Sequence, residues 1–167
     1  MEFNRRILLG CKLESNELRQ LAERVQNHWD SFPDEAGEML YPDVLPALEK
    51  FRSQGLILGI VSHRTLPVIQ CSPRRHGLMR YIQVLVSPQV ARASCGKPDL
   101  AMWEYALGQA RIGAAEAAHL GDQYEHDVVG AKAARLFPIL IDRKQCYFGK
   151  DCLRAKDLWE ATSLFGL

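Results

Sequence analysis

Four short apolar segments alternate with stretches of helical spacing, and this alternation limits the folds open to the chain more than any other feature. They are LILGIVS from Leu56 to Ser62, IQVLVS from Ile82 to Ser87, AHL within Ala117 to Leu120, and FPILID from Phe137 to Asp142. The first is apolar almost without interruption from Leu56 to Val61, a pattern that belongs to a strand buried on both faces of a parallel sheet. Before it, PDVLPALEKFRSQG reads as a helix that begins after Pro42 and stops at Gly55, where the missing Cβ suits a left-handed cap. PDLAMWEYALGQARIG carries Leu100, Met102, Trp103, Ala106, Leu107 and Ala110 on one stripe, with Pro98 at its start and Gly113 at its end. A further helix is expected from about Tyr124 to Leu136. In PVIQCSPRRHGLMR, Pro73 interrupts the hydrogen-bond ladder, so one or two short turns are expected there. Strands separated by helices of this length imply right-handed crossovers and one parallel sheet.

The chain has 167 residues, 47% hydrophobic and 25% charged, enough for one α/β core. From Ser15 to Trp29, Leu18, Leu21, Ala22, Val25 and Trp29 recur at helical spacing, with Ser15 or Asn16 as N-cap. Residues 1 to 40 are therefore expected as a helical segment without a strand partner, and residues 41 to 167 as the α/β core. The formal charge of +1 offers no basic excess for a phosphate backbone. Arg74, Arg75, His76 and Arg80 read as a solvated loop, so no nucleic-acid partner is expected. Five cysteines without a C-x-x-C pair indicate neither a complete disulfide framework nor a zinc knuckle, and fit reduced thiols in a cytoplasm. No run approaches the roughly 18 apolar residues of a membrane span.

Three polar features fall at the carboxyl ends of expected strands or in the loops leaving them, where open α/β sheets collect ligands. They are Ser62 with His63, Lys97 in CGKPD, and Asp122 with Asp127 in GDQYEHD. Each alone is an ordinary turn or loop feature. Together, a hydroxyl, a cation and paired carboxylates on one rim are what phosphoryl chemistry requires.

At their order and spacing, IVSHR, CGKPDLAMWEYAL and HLGDQYEHDVVGAKAA resemble the second, third and fourth motifs of the haloacid dehalogenase-like (HAD) hydrolases, over about residues 41 to 143. The resemblance implies a Rossmann-like parallel sheet with helices on both faces, and a phosphatase that works through an aspartyl phosphate with Mg2+ and a small phosphorylated metabolite. It makes Ser62 the phosphate-binding hydroxyl, with His63 beside it where the family often has Asn. Lys97 becomes the charge-stabilising lysine and Asp122 a magnesium ligand. Asp127 would support the metal directly or through a water. His126 has no role in the family pattern and reads as a helix-surface residue.

The family's first motif is D-x-D at the end of a first strand, and this chain contains no D-x-D. Nucleophile, general acid and one metal ligand are thereby missing together, and the remaining parts do not restore nucleophilic catalysis. The favoured expectation is that residues 1 to 40 resemble the end of a helical cap inserted after that motif. In the alternative, RRILLGCKLES is a degenerate first strand that puts Cys11 and Leu13 where the aspartates belong. Either way the chain is expected to be weak or inactive. The rival functions are a non-catalytic phosphate-binding or interaction module of the same fold and, further off, an unrelated nucleotide-binding domain, against which the lack of G-x-G-x-x-G and G-x-x-x-x-G-K counts.

Overall fold

In the computed structural model, residues 39–94 and 96–166 are described, together with Asn16, Glu17, Gln20, Leu21, Glu23 and Arg24. The chain divides into two compact units at the junction of residues 38 and 39. In the first, those six residues are helical, inside the amphipathic stretch expected from Ser15 to Trp29. The rest of that stretch, and Cys11 and Leu13, lie outside the described residues.

The second unit runs α1 (Val44–Ser53), β1 (Leu58–Val61), α2 (Leu66–Arg75), β2 (Ile82–Val86), a short α3 (Pro88–Ala91), α4 (Leu100–Ala110), β3 (Ala118–Gly121), a π-helical turn (Tyr124–Val128), α5 (Val129–Ala133), β4 (Phe137–Ile141), β5 (Leu153–Ala155) and α6 (Leu158–Leu164). All strand pairs are parallel, as the alternation predicts, but the described strands form two sheets, β1-β2 and β3-β4-β5. No described strand lies between β1 and β3. The expected burial of β1 on both faces is accordingly incomplete: Leu56 and Ile57 are exposed and none of its four residues is fully buried.

Gly55 takes the left-handed conformation that stops α1, with φ of 78°. Asp43, at the other end of α1, accepts from both guanidinium nitrogens of Arg143 at 2.9 and 2.8 Å and from the Leu158 backbone N–H at 2.8 Å. One carboxylate thus ties α1 to the loop after β4 and to the start of α6. Two expectations need correction. The segment around Pro73 is one continuous helix, α2, because Pro73 removes a single ladder bond two residues before the helix ends and is itself buried against the core. The left-handed cap of α4 is Arg111, with φ of 56°, rather than Gly113.

Fully buried Trp103 of α4 packs with Ala131 of α5 and with Leu136. Val61, at the carboxyl end of β1, and Ala117, just before β3, join the same cluster. This shared apolar wall packs the two sheets against α4 and α5, and the loops leaving β1 and β3 meet where the His63 and His126 rings touch.

Candidate active site

Lys97 follows Gly96 in the loop entering α4, whose N-cap Asp99 accepts from the Ala101 and Ser94 backbone N–H groups and the Ser94 hydroxyl. These bonds fix the loop's exit direction. The ammonium then reaches across to Asp127, with Nζ 2.5 Å from Oδ1. The same oxygen lies 2.9 Å from His119 Nε2, while Oδ2 accepts from the Gln123 backbone N–H at 3.0 Å. Asp127 is 2% exposed, and Lys97 and His119 only 11% and 12%. Burial works to raise the Asp127 pKa, but the His119 hydrogen bond and the Lys97 charge overcome it and hold the carboxyl far below its ordinary range. Burial pushes the His119 pKa down, against the pull of Asp127.

Asp127 reaches this position because the chain after β3 winds as a π-helical turn, so that Asp127 lies inside the first helical turn and not in the loop before it. Its carboxylate packs over Gly121, the last residue of β3. A Cβ there would stand 2.5 Å from Asp127 Cβ and closer still to its carboxyl group, so the approach requires glycine.

Of the remaining candidates, His63 is linked to this pair through His126. Ser62 follows β1 directly; its N–H donates to Val86 O at 3.0 Å and its Oγ accepts from the Arg64 N–H at 3.1 Å. The exposed His63 ring meets the His126 ring edge-on at 5.0 Å, and His126 Nδ1 lies 3.0 Å from the Lys97 carbonyl oxygen. His126 is thus a half-buried bridge between the β1 and β3 loops, which corrects its reading as a surface residue. Asp122 is exposed at the start of the turn.

Among the described residues, no group of three or more His, Cys, Asp or Glu gathers to hold a metal. Both Asp127 oxygens accept hydrogen bonds, and Asp122 presents an exposed carboxylate five residues before it. One exposed carboxylate supplies at most a single protein ligand to a hydrated ion such as magnesium, which keeps several of its waters.

The sequence reading missed His119. A histidine in a short apolar strand next to a motif glycine was the available signal, since buried polar groups need a partner. It also missed Ser87, buried at the carboxyl end of β2.

A family model for haloacid dehalogenase-like hydrolases matches residues 2–135, extending the resemblance through the N-terminal unit. The ribulose-1,5-bisphosphate 5-phosphatase of Halopiger xanaduensis is 28% identical over 115 residues, 69% of this chain and 46% of that protein. The phosphoserine phosphatase of Thermus thermophilus is 29% identical over 126 residues, 75% of this chain and 47% of that one. The chain therefore spans about half the length of the curated relatives it matches. In fold it is similar to a HAD phosphatase from Thermococcus onnurineus, with a TM-score of 0.74 at 22% identity, covering 99% of this chain and 79% of the other.

Proposed function

This chain belongs to the haloacid dehalogenase-like hydrolases, and we propose that it is the core of a magnesium-dependent phosphatase acting on a small phosphorylated metabolite, weak or inactive by itself. The observation that carries this reading is the Lys97 ammonium held 2.5 Å from buried Asp127 at the carboxyl ends of the parallel strands. An ion pair of this kind fixes a cation in place ahead of the anion it is to meet. Two matched relatives are phosphatases, which favours phosphate over halide.

In this reading the Ser62 hydroxyl, with His63 beside it, donates to a phosphoryl oxygen. Lys97 offsets the negative charge that develops on the phosphoryl group. Asp122 holds the magnesium, and Asp127 supports the site from behind through the lysine or a water. A bound magnesium would add a second positive charge against the phosphoryl oxygens. With no D-x-D in the chain, no aspartate in the family's position accepts the phosphoryl group.

Calorimetry with magnesium and orthophosphate tests the binding half of this proposal. The wild-type chain should bind both weakly; Asp122→Asn should abolish magnesium binding and Lys97→Ala should abolish phosphate binding. Unchanged affinities in these variants would place the metal and the anion elsewhere.

A further inference from the structure

We propose that His119 is the positioning residue for Lys97, setting where the lysine ammonium stands at the rim. The proposal rests on the reading of Lys97 as the phosphate-facing cation.

A lysine ammonium ends a flexible four-carbon stem, so its position is only as well defined as its partner. Here the partner is a single oxygen, Asp127 Oδ1, at 2.5 Å. A carboxylate pinned at one oxygen can still turn about its last bond. Asp127 is pinned at both: the Gln123 N–H holds Oδ2 at 3.0 Å, and His119 Nε2 holds Oδ1 at 2.9 Å. Because an ionised carboxylate only accepts, Nε2 is the donor in either protonation state of the ring. His119 itself has little freedom. It lies within β3, in parallel register with Pro138 of β4, and its ring abuts the fully buried Trp103 ring at 4.3 Å and 70°. Orientation thus passes from a sheet and a buried indole through the imidazole and carboxylate to the ammonium. From the other side, His126 Nδ1 meets the Lys97 carbonyl oxygen, so one histidine contacts the Lys97 backbone and another braces the carboxylate that holds its side chain. Packing against Trp103 alone would be served by an apolar ring. What an apolar ring cannot supply is the donor to the oxygen that carries the lysine.

The test uses the full chain as wild type, His119→Phe, which keeps a ring against Trp103 but removes the donor, and His119→Gln, which keeps an N–H donor. Two readouts are taken. One is the Lys97 ammonium signal in 15N NMR, visible when the group is held and shielded from solvent. The other is orthophosphate affinity by calorimetry. Wild type and His119→Gln should show the ammonium signal and His119→Phe should lose it. Phosphate affinity should fall about tenfold in His119→Phe, the equivalent of one charge-assisted hydrogen bond, and recover in His119→Gln. If His119→Phe does not fold, His119→Leu, with less bulk and no donor, replaces it.

Retention of both readouts in the donor-less variant overturns the proposal. So does loss of both in His119→Gln, which would make the role one of packing, and so does a wild-type chain without a protected Lys97 signal. If wild type shows the ammonium signal but binds no phosphate, the phosphate reading falls while the signal in the variants still decides the role of His119.

Discussion

Adding one methyl group at Gly121 should dismantle the buried ion pair. The Cβ of Gly121→Ala would lie 2.5 Å from Asp127 Cβ, almost an ångström short of ordinary contact, and deeper still in the carboxyl group. Asp127 has nowhere to retreat, since it is buried and its N–H is bonded to Gln123 O at 2.7 Å in the first helical turn. Either the strand end and the helix separate, an overpacking cost of about 1–3 kcal/mol, or the carboxylate leaves Lys97 and His119, and a broken buried pair costs about 3–5 kcal/mol. The two routes relieve the same clash, so they do not add. The expected loss is about 3 kcal/mol, a large share of the roughly 5–15 kcal/mol that holds a domain folded. Urea unfolding followed by circular dichroism reads this directly. Gly108→Ala is the internal control: its Cβ, in the last turn of α4, meets nothing within 4 Å, so it should stabilise by up to about 1 kcal/mol. If Gly121→Ala unfolded within about 1 kcal/mol of wild type, Asp127 would not be packed over Gly121 and the site geometry would be wrong.

Two further outcomes follow from the carboxylates. Asp43→Asn should cost about 2–3 kcal/mol in urea unfolding, because the bonds from Arg143 and the Leu158 N–H lose their charged acceptor. Stability should also fall in acid. Asp127 and Asp43 both titrate below the ordinary value of 3.8, so what they contribute is complete above it and is lost as pH falls through that value toward their folded ones. His119, lowered from 6.5, takes up a proton more readily in the unfolded chain, so the decline begins near pH 6.5. Thermal unfolding from pH 7 to 3 should show a falling midpoint throughout; a flat profile would contradict the burial of these groups.

The strands could be read from sequence because a parallel strand announces itself by a near-continuous apolar run, and IQVLVS and FPILID match β2 and β4 to within a residue. The three-residue β5 could not, since Leu153 and Arg154 are exposed and only Ala155 is buried, leaving no period to detect. Pro73 misled for a different reason: propensity marks it as a breaker, whereas its burial against the core decides the local structure. Among the candidate residues, Ser62, Lys97, Asp122 and Asp127 stood out in the sequence as polar residues at strand ends and as parts of spaced motifs. The ion pair between Lys97 and Asp127 did not. That Asp127 turns back onto Lys97 depends on the π-helical turn after β3, and that His119 and His126 brace the lysine depends on the packing of α4 and α5, neither of which has a local sequence signal.

The measurement that bears most directly on the proposed phosphatase core without its aspartate nucleophile is hydrolysis of p-nitrophenyl phosphate by the purified chain with magnesium. Ser62, Lys97 and Asp122 are expected to hold phosphate and metal without attacking phosphorus, so turnover should stay far below the roughly 1 per second of an ordinary enzyme. Turnover at that rate or faster would contradict the account. If it then vanished in Cys11→Ala and Lys97→Ala, a cysteine in a degenerate first strand would be the nucleophile; if it survived in Cys11→Ala, the active site would lie elsewhere.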